Sequence, residues 1–371
     1  MRIVTIVGAR PQFVKAAVIS RAIKSFNRSE RGIKEIIVHT GQHYDANMSD
    51  IFFKEMHIPE ADYNLSINNC SHGEMTGFML QKIEQILLKE KPQAVLVYGD
   101  TNSTLAGALA ASKLHIPVAH VEAGLRSFNM DMPEEINRIL TDRISSFLFC
   151  PTDTAVKNLC NEGFGNGSKI LPRQPIVFNV GDVMYDATLF YRQIAKPNDF
   201  ISKIITDTGN KYYLATIHRE DNTDNYDRLK GIVDAFNTIS KVTPIILPLH
   251  PRTKQALLRH KLELQRVTII DPVGYFDMIA LLDNCSAVFT DSGGLQKEAY
   301  FFKKPCVTLR DQTEWIELVI NGYNTLVGAK KEEIVLAEQN LIFMADNGTP
   351  TLYGQGDAGE KIVSILANSH I

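Results

Sequence analysis

The sequence predicts a two-domain, doubly wound α/β protein with two Rossmann-like halves. Short apolar, β-branched runs recur, each followed by a turn and a helix-length segment. The rhythm stops in a stretch where Gly163, Gly165, Gly167, Pro172 and Pro175 cluster, then restarts. Charged residues and glycines gather where the apolar runs end. A strand covered on both faces reads as a continuous apolar run, and alternation of such runs with helical segments implies βαβ units around a parallel sheet. At 371 residues the chain has room for two domains of ordinary size. We place the first over residues 1–180 and the second over 181–355.

Taken in order, residues 2–7 form the first strand and Gly8-Ala9-Arg10-Pro11 the turn, with Pro11 suited to the first position of a helix that carries Lys15. A second strand over 35–39 leads into Gly41-Gln42-His43-Tyr44. A helix over 77–91 stops at Pro92, the strand 94–98 leads into Gly99-Asp100-Thr101, and an alanine-rich helix covers 104–113. Strand 117–121 precedes Glu122-Ala123-Gly124-Leu125-Arg126, and Pro133 opens a helix before a strand at 147–150. In the second half, strands are expected at 211–216, 244–249, 267–270 and 306–309, with helices at 228–241 and 276–284. Residues 286–298, S-A-V-F-T-D-S-G-G-L-Q-K-E, read as strand, tight turn and helix, with glycines at the helix mouth. Free N–H groups and the helix dipole make such a mouth a phosphate site, although a plain βα turn has the same pattern.

Composition narrows the function. Apolar content of 44% and charged content of 22% describe a soluble globular protein, and a net charge of -3 gives no support for a nucleic-acid or membrane partner. Five cysteines are odd in number and scattered, so neither a disulfide framework nor a zinc site is suggested, and nothing calls for a metal or other cofactor. The apolar run at 3–7 is too short for a signal or membrane segment, which points to the cytoplasm.

Ligands of open α/β sheets sit off the carboxyl ends of strands. There the first half supplies Arg10, Lys15, His43, Asp100, Glu122, Arg126 and Glu134. The second supplies His218, Arg219, His250, Arg252, Ser292, Gly293, Gly294, Glu298, Arg310 and Asp311. Individually these have ordinary explanations: a capping histidine, first-turn carboxylates at Glu134 and Glu135, or a surface ion pair between Arg138 and Asp142. Their sorting argues for more. Cations with a glycine-opened helix suit a diphosphate, and clustered carboxylates suit proton transfer. No Walker A lysine motif and no G-x-G-x-x-G follows the first strand, so neither ATP hydrolysis nor a nicotinamide is favoured. A sugar carried on a nucleoside diphosphate fits both sets.

G-A-R-P at 8–11, V-Y-G-D-T at 97–101, H-V-E-A-G-L-R at 120–126, P-E-E-I-N-R at 133–138, H-R at 218–219 and T-D-S-G-G-L-Q-K-E at 290–298 together resemble the non-hydrolysing UDP-N-acetylglucosamine 2-epimerases. The resemblance runs over nearly the whole chain. It implies the glycosyltransferase-B type of fold, two domains facing a cleft, UDP held mainly by the second, a last helix over 356–371 returning to the first, and a homodimer. The implied reaction inverts C2 of a UDP-N-acetylhexosamine by eliminating UDP and re-adding it to an unsaturated sugar. Carried over residue by residue, Asp100, Glu122, Glu134 and His218 are the implied catalytic groups. Arg10, Lys15, His250, Arg252, Ser292, Gly293, Gly294, Glu298 and Arg310 are the implied substrate and UDP contacts. Which carboxylate is base and which is acid stays open.

The family's usual G-T-R-P-E is G-A-R-P-Q here, and H-R-R-E-N is H-R-E-D-N, which puts activation by a second UDP-sugar in doubt. H-T-G-Q-H-Y-D-A-N-M-S, R-S-F-N-M-D-M-P-E-E and D-Q-T-E-W-I-E-L resemble the branch acting on UDP-2,3-diacetamido-2,3-dideoxyglucuronate, which serves surface polysaccharide synthesis. The sugar carboxylate of that substrate needs a cation, for which Arg126 and Arg310 are candidates. UDP-N-acetylglucosamine as substrate, a hydrolysing epimerase, a glycosyltransferase of the same fold and a non-enzymatic sensor are the alternatives.

Overall fold

The computed structural model describes residues 1–29, 32–42, 60–165, 175–342 and 351–369. The chain divides into two compact units, one of Met1–Leu189 with Thr351–Ile371 and one of Phe190–Pro350.

In the first unit, β1 (Arg2–Val7), α1 (Arg10–Ser29), β2 (Lys34–His39) and β3 (Tyr63–Asn64) are followed by α2 (His72–Glu90), β4 (Ala94–Tyr98) and α3 (Asn102–Lys113). Then come β5 (Val118–Val121), α4 (Pro133–Ile144), β6 (Phe147–Cys150), α5 (Asp153–Asn161), β7 (Ile176–Asn179) and α6 (Val183–Ile194), which runs on into the second unit. Among the described residues the sheet has seven strands in the order β3-β2-β1-β4-β5-β6-β7, all paired in parallel. Helix α2 begins at His72 rather than at 77, because Ser71 and Glu74 form a reciprocal capping box. Val4, Ile6, Val95 and Val97 pack against Met79 and Ile83 of α2 and Ala106 and Ala110 of α3. Each such branched side chain contributes about 1.5–3 kcal/mol on burial. The alanines of α3 allow close approach; a Cβ at Gly107 would lie 3.1 Å from Ile6.

The second unit runs α7 (Asp199–Asp207), β8 (Tyr213–Thr216), α8 (Glu220–Thr223), α9 (Tyr226–Ile239), β9 (Ile245–Pro248), α10 (Pro251–His260) and β10 (Val267–Ile270). It continues with α11 (Tyr275–Asn284), β11 (Ala287–Thr290), α12 (Gly293–Phe301), β12 (Cys306–Thr308), α13 (Ile316–Ile320), β13 (Asn324–Leu326) and α14 (Lys331–Gln339). Its six described strands are ordered β10-β9-β8-β11-β12-β13. Phe289, Val307 and Ala215 meet Ile232 and Phe236 of α9 and Ile334 of α14. The last helix, α15 (Ala358–Asn368), belongs to the first unit and packs on α1. Both sheets are Rossmann-like. No helix among the described residues is long and apolar enough to cross a membrane.

Candidate active site

Each sheet reverses its winding beside its first strand, between β1 and β4 in the first unit and between β8 and β11 in the second. Strand ends at such a switch point splay apart and leave a crevice for ligands. Most of the expected site residues that the structure describes follow these strand ends or those of β5, β9 and β12, one group in each unit.

In the first unit, Gly8 opens the turn after β1. A Cβ there would lie 2.1 Å from the Ser103 hydroxyl and 2.2 Å from that of Thr40, so only glycine permits this approach. One turn into α1, Lys15 forms an ion pair with Glu122 at the end of β5; their side chains are 9% and 11% exposed. Glu122 has φ +71°, a left-handed conformation uncommon for a non-glycine residue and held only where its surroundings fix it. Beneath the pair, a Cβ on Gly99 would be 3.2 Å from the Glu122 carboxylate and 3.4 Å from the Lys15 ammonium.

Asp100, after β4, is paired with Arg138, and its side chain is 31% exposed. Arg138 also donates to Glu135 at 2.8 Å. Glu135 is buried and accepts from the amides of Ser127 and Phe128 at 3.0 and 2.9 Å, fixing the 126–129 loop. Glu134, its neighbour in the first turn of α4, is exposed. His120 lies buried between Asp142 (2.8 Å from Nδ1) and the Gly99 carbonyl (2.7 Å from Nε2). Asp142 also accepts from Arg126 at 2.8 Å.

Two expectations change here. Arg138 and Asp142 are not a surface pair; both are buried and each is engaged elsewhere. Arg126 turns its fork into the unit, meeting Glu162 through Nε at 2.6 Å and Nη2 at 2.9 Å. With its third nitrogen on Asp142 and the Leu125 carbonyl, it has no face left for a sugar carboxylate. The side chain of Arg10 and all of His43 lie outside the described residues.

In the second unit the organising residue is Asp291, fully buried after β11. It accepts from the amides of His218 and Arg219 and from the Asn222 side chain, each at 3.1 Å, and so joins the turns after β8 and β11. The His218 ring is 40% exposed, with Nδ1 3.5 Å from Asp291, and its centroid is 5.9 Å from that of His250. Burial, helped by His250 and Arg219, holds the His218 imidazole below its ordinary pKa against the pull of Asp291.

Ser292 caps α12, accepting from Leu295 N at 3.5 Å. The amides of Gly293 and Gly294 have no protein acceptor among the described residues, and they point a positive helix end outward. Glu298, one turn in, is partly buried, and desolvation pushes its carboxyl up to about 7. Arg310 donates to Glu314 at 2.8 Å. His250 caps α10 by accepting from Arg252 N at 3.2 Å. Arg252 itself pairs with Glu220 and Asp224 at 2.7 and 3.1 Å, so its charge is already shared by two carboxylates.

Gln12, Glu135, Asp291 and Glu314 were not singled out as site residues, although each is held at one of these clusters. Asp291 and Gln12 lie inside motifs in which the glycines and cations carry the stronger signal. Glu135 and Glu314 act through partners that only the fold supplies. Among the described residues no group of three His, Cys, Asp or Glu side chains could hold a metal ion.

The family model for UDP-N-acetylglucosamine 2-epimerase matches residues 25–367. The chain is 55% identical over 368 residues, 99% of each chain, to the UDP-2,3-diacetamido-2,3-dideoxy-D-glucuronate 2-epimerase of Pseudomonas aeruginosa. It is 45% identical, over 99% of each chain, to the UDP-N-acetylglucosamine 2-epimerase of Methanocaldococcus jannaschii. The crystal structure of an M. jannaschii UDP-N-acetylglucosamine 2-epimerase in complex with UDP-N-acetylglucosamine and UDP superposes with a TM-score of 0.85 at 45% identity, covering 100% of both chains. That of Neisseria meningitidis, bound to UDP-N-acetylglucosamine, gives 0.83 at 30% identity over 100% of both.

Proposed function

The chain belongs to the UDP-N-acetylglucosamine 2-epimerase family, and we propose that it inverts C2 of UDP-2,3-diacetamido-2,3-dideoxyglucuronate to give the mannuronate epimer. The chain is an epimerase with the two Rossmann-like units of the glycosyltransferase-B type. The observation that carries the choice of sugar is the 55% identity, end to end, with the Pseudomonas enzyme. A second reading, UDP-N-acetylglucosamine as substrate, has its support in the 45% identical relative and its complex. We also take the protein to be a cytoplasmic homodimer serving surface polysaccharide synthesis, as the resemblance implies.

In this reading the C2–H and C1–O bonds break together. A carboxylate takes the proton, UDP departs with the electron pair of the C1–O bond, and a C1–C2 double bond remains. UDP then re-adds at C1 while a proton reaches C2 from the opposite face. The carboxylates available are Asp100, Glu122 and Glu134. Arg138 is paired with Asp100 and Lys15 with Glu122, so each of these two carboxylates is held in place by a cation of its own unit. Negative charge growing on the departing diphosphate would be met by the free Gly293 and Gly294 amides and by His218, fixed donors that need no reorganisation. Arg10, Lys15, His250, Arg252 and Arg310 add positive charge, and Glu298 accepts from the ribose.

Incubating the protein with each UDP-sugar in deuterium oxide and following C2 by proton NMR tests the reading. Deuterium entering C2 with UDP still attached is the expected result. Absence of exchange with both sugars sinks it, and exchange with UDP-N-acetylglucosamine alone favours the second substrate. Asp100→Asn, Glu122→Gln and Glu134→Gln each lower exchange by about two orders of magnitude or more if they carry the proton, with UDP affinity retained.

A further inference from the structure

The turns after β1 and β4 are locked together by one side chain, and from it we infer that Gln12 is a positioning residue of the reaction: its neutral carboxamide sets the Arg10 turn against the Asp100 turn. The inference rests on the epimerase reading above. Gln12 is 2% exposed. Its oxygen accepts from the amides of Gly8 at 2.8 Å and Ala9 at 3.0 Å. Its nitrogen donates to the Tyr98 carbonyl at 2.7 Å, the Thr101 hydroxyl at 3.0 Å and the Thr104 hydroxyl at 2.9 Å. Two backbone N–H groups accept nothing and a backbone carbonyl donates nothing, so the amide has one possible orientation and both of its ends are needed.

A carboxylate in this place satisfies Gly8 and Ala9 but sets a buried anion against the Tyr98 carbonyl. The partners of Gln12 sit next to the chemistry. Ala9 precedes Arg10, Thr101 follows Asp100, and Lys15 lies three residues along α1 on a neighbouring part of its surface. Loosening the clamp therefore shifts Lys15 against Glu122 and Asp100 against Arg138 together. Errors of that size cost rate far more than binding, because rate depends on near-attack geometry.

Gln12→Glu and the uncharged Gln12→Met are compared with the wild type by C2 exchange in deuterium oxide across pH, with UDP affinity measured by calorimetry. At alkaline pH both variants lose about tenfold or more in kcat while the UDP dissociation constant stays within about twofold. As pH falls, protonation gives Gln12→Glu a donor for Tyr98, so its rate relative to wild type recovers, whereas that of Gln12→Met stays flat. Lys15, Asp100, Glu122 and Arg138 are common to all three proteins and cancel in that ratio. Wild-type kcat in either variant, a parallel loss of UDP affinity, or no recovery of Gln12→Glu at low pH overturns the inference. If Gln12→Glu does not fold, Gln12→Met decides: loss of kcat in the folded protein supports the clamp, and retention refutes it. If the wild type itself shows no exchange, the epimerase reading fails. The clamp is then judged on hydrogen exchange at the Gly8 and Ala9 amides, which is faster in Gln12→Met if the bonds hold the turn and unchanged if they do not.

Discussion

Glu298 is a carboxyl raised from 4.5 to about 7 by burial, with Lys297 pulling weakly the other way. A folded-state value above the unfolded one means that the native protein holds this proton more tightly. The stability it contributes is present below pH 4.5 and is lost as pH rises toward about 7, with a slope of up to about 1.4 kcal/mol per pH unit. Urea unfolding at the two ends of that window should therefore separate wild type from Glu298→Gln, whose stability is flatter. If the ionised carboxylate grips the ribose, UDP also binds more tightly to wild type as pH rises through the same range, and the glutamine variant loses that gain. Parallel pH profiles of the two proteins would remove Glu298 from the ribose site. At this scale the sequence showed which residues stand at strand ends, because glycine turns and polar triplets mark those ends. It did not show who pairs with whom. Arg126 meets Glu162, and Arg138 meets Asp100, across many intervening residues, and only the packing of α4 and α5 on the sheet brings them together.

Helix α12 and helix α15 each depend on one glycine near the start of the helix. At the α12 mouth, a Cβ on Gly293 would lie 2.4 Å from the Glu314 carboxylate that Arg310 holds. Gly293→Val must displace that carboxylate and crowd the free amides, so UDP affinity is expected to fall by about tenfold or more, read by calorimetry. Unchanged affinity would count against the mouth as the diphosphate site. At the start of α15, Gly359 donates its amide to Asp186 at 2.8 Å, and a Cβ there would lie 2.7 Å from Val18 of α1. Gly359→Val overpacks this contact and is expected to lower unfolding stability by about 1–3 kcal/mol; an unchanged denaturant midpoint would mean the helix shifts freely on α1. Apolar runs such as β1, β4 and β11, buried along nearly their whole length, were legible because a strand covered on both faces needs that composition. Helices α5, α6 and α14 were not anticipated, and neither were strands β7 and β13, whose short, partly buried runs leave no clear period in the sequence.

The two units use one architecture to place different groups at the same kind of crevice. Each places its first strand beside the fourth strand in its own order and opens a crevice at that switch point. The first fills it with the carboxylates Asp100 and Glu122, each tied to a cation of the same unit. The second fills it with donors: the bare amides at the α12 mouth and the His218 ring, braced by Asp291. In the sequence, basic residues and glycine turns stand at the strand ends of both halves and carboxylates gather in the first; the sheet orders bring such ends together because each switch point collects them. The difference between the two crevices has a consequence for UDP alone, which carries the diphosphate but no sugar to deprotonate. UDP at a hundred times its dissociation constant should stabilise the protein by about 2.7 kcal/mol. Hydrogen exchange should locate that gain at the turns around 217–222 and 291–298. The amides of 99–104, beside the carboxylates, should slow only when the complete UDP-sugar is supplied. Protection by UDP spread equally over both sets would mean that the diphosphate contacts are shared, and that the division between a proton-handling unit and a UDP-holding unit is wrong.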